Sequence, residues 1–204
     1  MFNLDPSKER IAYIVRHGEL TKMSVWDGWG DLTLSEEGMQ QAEAAARWLS
    51  FERIGRVISS DLPRTIQTAQ YLMDTGAVSC PFMSTDPNLR PWMVAGFTGK
   101  EKTPERLAAF QKYLDDPTLV IPGGESHEQL EQRLQVIFQY IATPYNCLPT
   151  VFFMHNSAIK AVMGIPEVKE SVKPGGIVAV DMDERGEISF QVVLGHVEQE
   201  QGVS

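Results

Sequence analysis

The stretch Ile11-Ala12-Tyr13-Ile14-Val15-Arg16-His17-Gly18-Glu19 decides how this chain is read. Five apolar residues in a row, closed by polar ones, fit a strand buried on both faces of a parallel sheet. Arg16, His17 and Gly18 follow at once, so a fixed cation and a titratable ring stand at the strand's C-terminal end. Open α/β sheets build their ligand sites at that edge.

Working outward, apolar runs alternate with helical patterns. Strands are expected at 56–59, 151–154, 177–180 and 188–193, the last two around the Glu184-Arg185-Gly186 turn. A helix is expected at 35–50, with Met39, Ala42, Ala46 and Leu49 on its buried face. Another spans 61–73, opened by Asp61 with Pro63 in its first turn. Thr103-Pro104 starts a short helix reaching about Leu114. Ser126-His127-Glu128-Gln129 forms a capping box that begins a longer one, whose buried stripe is Leu130, Leu134, Ile137, Phe138 and Ile141. Residues 77–102, interrupted by Pro81, Pro87 and Pro91, are the least regular part. The pattern predicts the α/β class: a mostly parallel sheet with helices on both faces, one domain over 1–204, and a polar tail from about 198.

The 204 residues are 43% hydrophobic, enough to bury one sizeable core. A net charge of −9 argues against nucleic acid or an anionic membrane as partner. A local pair of arginines can still govern a phosphate pocket. Cys80 and Cys147 have neither metal-ligand spacing nor disulfide density, and both are expected as buried thiols. No apolar stretch reaches membrane-spanning length, and Met1 to Arg10 holds no signal-peptide core. The expectation is a soluble, cytoplasmic protein without metal or cofactor.

Three further segments accompany the first: Ser59-Ser60-Asp61-Leu62-Pro63-Arg64-Thr65, the group Gly124-Glu125-Ser126, and Val151-Phe152-Phe153-Met154-His155. In this order they resemble the histidine phosphatase, or phosphoglycerate mutase-like, family. Leu32-Thr33-Leu34-Ser35-Glu36-Glu37-Gly38, Ile66-Gln67-Thr68-Ala69 and Lys173-Pro174-Gly175-Gly176 extend the likeness over most of the chain. The resemblance implies a three-layer α/β/α sandwich and a metal-independent phosphatase with a phosphohistidine intermediate at His17. The substrate class would be a phosphorylated small molecule or phosphoprotein.

The residue types suit that chemistry. Guanidinium groups match phosphate oxygens with parallel donors, so Arg16 and Arg64 are the candidate clamp. His17 attacks phosphorus if its imidazole is neutral, a state accessible near neutrality. Gly18 leaves room for the approach, and Glu19 is assigned a supporting role. His155 is expected to donate to non-bridging oxygens, and Asn156, at the start of the next helix, to approach the same anion. Arg90 is a candidate third positive contact. Trp26, Trp29, Trp92, Phe97 and Lys100 form either a substrate wall or ordinary packing. Taken singly His155 reads as structural, and only the co-occurrence of motifs changes that. His127 and His196 read as structural residues.

The departures from the family pattern bear on the reaction. The family commonly places a general-acid glutamate after Leu-Arg, where this chain has Pro91 after Leu89-Arg90. A related branch has an aspartate after the second histidine, where Asn156 stands. Leu20 and Met23 replace a usual threonine and asparagine. Glu101 is the nearest possible replacement acid, with Asp27, Asp31 and Glu105 as others. Good leaving groups are therefore expected to react best. Two alternatives stay open: a non-catalytic phosphate-binding module that kept the clamp, and a phosphoglycerate mutase.

Overall fold

A computed structural model describes residues 8–164, 170–195 and 197–199. The elements in chain order are β1 (Lys8–Arg16), α1 (Glu36–Leu49), β2 (Arg56–Ser59), α2 (Pro63–Asp74), β3 (Met83–Thr85), α3 (Pro104–Asp115), α4 (His127–Leu134), α5 (Val136–Ala142), β4 (Thr150–Met154), α6 (Asn156–Met163), β5 (Glu170–Val172), β6 (Ile177–Asp183), β7 (Ile188–Leu194) and β8 (Val197–Gln199). His196, residues 1–7 and the tail after Gln199 lie outside the described residues.

The main sheet has the order β3-β2-β4-β1-β6-β7. β3, β2, β4 and β1 pair in parallel, and β6 runs antiparallel to both of its neighbours. β5 and β8 form a separate antiparallel pair. Alternation along each strand divides the core in two. Ala12 and Ile14 of β1, Ile58 of β2 and Phe152 and Met154 of β4 face α3 to α6, through Phe110, Leu130, Ile137 and Ile159. Tyr13, Val15, Val57, Val151 and Phe153 face α1 and α2, through Ala45, Ala46, Leu49, Ala69 and Leu72. This is the expected three-layer α/β/α sandwich.

Local signals explain most boundaries. Ser35 caps α1 through the Gly38 N–H, Thr103 caps α3 through the Arg106 N–H, and Ser126 and Gln129 complete the capping box of α4. Four expectations need correcting. Asp61 does not open α2; the N-cap is Leu62, because the Asp61 carboxylate is held by both arms of Arg90. Met39 is 41% exposed, and Gly38 and Ala45 take its place on the buried face of α1. The long helix after Ser126 divides at Gln135, where i→i+3 bonds from Gln135 and Phe138 tighten the chain, leaving Phe138 and Ile141 only half-buried. Neither cysteine is buried: Cys80 is intermediate, and Cys147 is exposed in a turn with φ 55°. Among the described residues no helix is long and apolar enough to cross a membrane.

Candidate active site

The C-terminal ends of β1, β4 and β2 are level. Arg16 pairs with Met154, and Ser59 with Phe153. Backbone bonds continue the alignment past the strands: His17 N–H donates to Met154 O at 3.1 Å and Ser60 N–H to Phe153 O at 2.9 Å. His17, His155 and Ser60 therefore leave the sheet together. From the other side the Gly175 N–H reaches both Arg16 O and His17 O at 3.2 Å. Gly18 is required by a backbone contact, since a Cβ there lies 2.2 Å from Gly38 O, and a Cβ on Gly38 lies 2.1 Å from Glu19 O. Its smallness serves loop-to-helix packing against α1, which is a different reason from room for a substrate.

The two imidazoles lie 5.2 Å apart, centroid to centroid, at 59°. Both are buried, His17 at 7% exposure and His155 at 2%. His17 Nδ1 sits 2.7 Å from Gly18 O, a contact that requires the proton on Nδ1 and leaves the Nε2 lone pair free. Burial, then the charges of Arg64 and Arg16, hold this ring well below the ordinary histidine pKa. That direction favours the neutral ring at neutral pH. His155 Nδ1 accepts from Arg64 Nε at 3.2 Å, so its proton is on Nε2, which donates to Ser60 Oγ at 3.0 Å. Burial and Arg64 lower its pKa likewise. The motif at 59–65 by itself gives Ser60 no role; its meeting with His155 spans 95 residues of sequence and depends on β2 and β4 pairing side by side.

Arg64 is 2% exposed and heavily engaged. Besides His155, it donates through Nη1 to Asp27 Oδ2 at 2.5 Å and Gly30 O at 2.9 Å, and through Nη2 to Gly28 O at 2.7 Å. Burial pulls its pKa down to about 10, with Asp27 opposing the fall, so the guanidinium remains charged at neutrality. Arg16 donates to Val172 O at 2.5 Å. The segment 26–30 thus wraps Arg64, and Trp29 docks it onto residues 90–91: the indole N–H donates to Pro91 O at 2.9 Å and the ring lies 4.5 Å from the Arg90 guanidinium.

Arg16, His17, Arg64 and His155 are brought together as expected from the motifs. Asn156 opens α6 directly after His155, whose side chain gives that helix no cap bond; among the described residues the buried Asn156 Oδ1 has no hydrogen-bond partner. That helix start favours an anion. Arg90 is placed differently, with its fork spent on Asp61 at 2.7 and 2.5 Å. Glu19 ties the loop to α1, accepting from Ser35 Oγ at 3.3 Å. Glu101 sits at the surface, half exposed and 3.1 Å from Lys22 Nζ, a contact that holds its carboxyl below the usual range. Trp26, Trp92 and Phe97 pack with Phe110 rather than forming a wall. His127 starts α4, edge-on to Trp92. A surface cavity of about 380 Å³ lined by Glu19, Gln41, Lys173 and Gly175 includes neither imidazole. Among the described residues no group of three or more His, Cys, Asp or Glu is disposed to hold a metal ion.

The model of the histidine phosphatase superfamily, branch 1, matches residues 12–167, and the chain belongs to that superfamily. Similar proteins include the fructose-2,6-bisphosphatase TIGAR of Mus musculus, 32% identical over 79% of this chain and 55% of the relative. A metal-independent phosphoserine phosphatase of Arabidopsis thaliana is 34% identical over 73% of this chain and 65% of the relative. The chain spans about half the length of the TIGAR proteins it matches. Among solved structures, a mycobacterial glucosyl-3-phosphoglycerate phosphatase with VO3 superposes with a TM-score of 0.72 at 22% identity, covering 90% of this chain and 97% of that one. That likeness concerns the fold.

Proposed function

We propose that this chain is a metal-independent phosphomonoester hydrolase working through a phosphohistidine at His17. The observation that carries the reading is the free Nε2 of a buried, neutral His17 beside a second imidazole and two arginines. His17 Nε2 attacks phosphorus, the bond to the leaving oxygen breaks, and water then attacks the phosphohistidine to release phosphate. Arg16, Arg64 and the start of α6 are assigned the charge on the non-bridging oxygens. His155 joins them once the incoming anion draws its Nε2–H away from Ser60. The resemblance puts Pro91 at the family's acid position, and proline has no proton to give. Substrates with good leaving groups are accordingly the fastest. Names of the relatives, among them sugar-phosphate and phosphoserine phosphatases, support a phosphorylated small molecule as the substrate class.

A non-catalytic phosphate-binding module is the second reading, favoured by the engagement of Arg64 with Asp27, Gly28 and Gly30. Phosphate release from p-nitrophenyl phosphate separates the two. The expected result is turnover by wild type and a loss on the order of a thousandfold or more in His17→Ala. Equal rates in both proteins would leave the module as the better account. A mutase is the third reading, with 34% identity to a probable phosphoglycerate mutase of Proteus mirabilis; Pro91 at the family's acid position counts against it unless another residue relays the proton.

A further inference from the structure

Expelling an alkoxide from phosphorus benefits strongly from a proton, and the carboxylates around the site differ in their freedom to supply one. Asp61 is gripped by both arms of Arg90. Glu125 is gripped by Arg133 at 3.0 and 2.6 Å, and also accepts from the Met93 N–H at 2.9 Å. Glu101 and Glu105 are surface groups held below the usual carboxylate range. Asp27 is also ion-paired, to Arg64 at 2.5 Å, but of these carboxylates it is the one whose partner guanidinium donates to His155, so one side chain separates it from the second imidazole; its side chain is 12% exposed.

We propose that Asp27 is the proton donor to the leaving group, a role that rests on the phosphohistidine reading above. The charged groups facing Asp27 are Arg64 from α2 and Asp31 from its own loop. Burial, with Asp31 adding to it, raises its carboxyl pKa against the pull of Arg64 and a backbone bond from Leu32. A phosphate dianion arriving on Arg64 brings a second anion to the same guanidinium. That repulsion is relieved when Asp27 takes up a proton. As the Nε2–P bond forms and the P–O bond breaks, the Asp27 proton passes to the leaving oxygen, which departs as an alcohol. In the second half the Asp27 carboxylate takes a proton from the water attacking phosphorus, the N–P bond breaks, and His17 and Asp27 return to their starting states. The sequence marked Asp27 only as one of several candidates, since its meeting with Arg64 spans 37 residues.

The test compares wild type, Asp27→Asn, Asp27→Glu and His17→Ala on 2,4-dinitrophenyl phosphate, whose phenolate leaves unprotonated, and on glycerol 2-phosphate, an alkyl ester. In Asp27→Asn the ratio of alkyl-ester to aryl-ester kcat is expected to fall by about a hundredfold or more, on the order general acid catalysis provides. Wild type and Asp27→Glu are expected to lose kcat on the alkyl ester as pH rises through the carboxyl's pKa in the complex, a limb that Asp27→Asn lacks. The proposal is overturned if Asp27→Asn slows both esters alike, speeds either, or leaves the alkyl ester untouched, and equally if wild type shows no alkyl turnover or no alkaline limb. His17→Ala separates the two layers. Should it keep wild-type rates, the phosphohistidine reading fails; should it be inactive while Asp27→Asn treats both esters alike, only the role of Asp27 fails.

Discussion

His17 and His155 are buried as neutral rings, and two consequences follow at the level of single residues. On the proposed mechanism the free protein must keep His17 unprotonated to attack. Its pKa is held well below 6.5 by burial and by Arg64 and Arg16, so the acid limb of kcat/KM on an aryl phosphate is expected well below that value. A limb at or above pH 6.5 would show that the ring is not shielded as described. Stability has a definite sign too. Below the unfolded pKa of about 6.5 the unfolded chain binds protons that the native rings refuse, so acid favours unfolding. Each ring contributes up to about 1.4 kcal/mol per pH unit until its native pKa is reached. Urea unfolding between pH 7.5 and 5.5 should therefore show falling stability, with a shallower fall in His155→Gln. The meeting of the two imidazoles was legible from the residues after two strands, because strand ends are where such sheets expose side chains. The occupation of Arg64 by Asp27, Gly28 and Gly30 was not, because it joins a loop to a helix more than 30 residues away in sequence.

Between elements, the loop carrying His17 is set by how closely its backbone meets α1. Gly38→Ala places a methyl 2.1 Å from Glu19 O, against rigid backbone. It is expected to cost about 3 kcal/mol and to lower kcat by shifting His17, measured by thermal melts and aryl-ester kinetics. An unchanged melting temperature would mean that this approach is not tight. The sequence marked Gly18 as special but did not show its approach to Gly38; a backbone-to-backbone contact leaves no trace in hydrophobic periodicity. A second device holds residues 88–93. Arg133 donates to Asn88 O at 2.7 Å, Arg90 O at 2.6 Å and Pro91 O at 2.6 Å, while its other arms bind Glu125. Arg133→Met strands the partly buried Glu125 carboxylate and three carbonyls. Differential unfolding should register a loss of about 3 kcal/mol, with a retained midpoint counting against a structural role. Helix starts were legible from Ser35, Thr103 and Ser126 because capping is local. Asp61 failed as a cap because a guanidinium elsewhere in the chain outcompetes one backbone N–H.

For the molecule as a whole, the sheet order places β4 between β2 and β1, and this alone brings residues 17, 60 and 155 to one edge. The alternation of apolar runs and helices foretold the layers, and the motifs ending β1, β2 and β4 foretold the edge; the two-stranded β5-β8 pair and the break at Gln135 had no comparable signal. A molecule built this way should gain stability from the anion it holds. Saturation with vanadate at a hundred times its Kd is expected to add about 2.7 kcal/mol, read as a rise in melting temperature that His155→Gln diminishes. The most direct test of the central claim is intact-mass and peptide mapping of protein quenched in base during turnover of 2,4-dinitrophenyl phosphate. One acid-labile phosphoryl group on His17, absent from His17→Ala, is the predicted result. Phosphate release without any phosphorylated His17, or a phosphoryl group mapped to another residue, would contradict it.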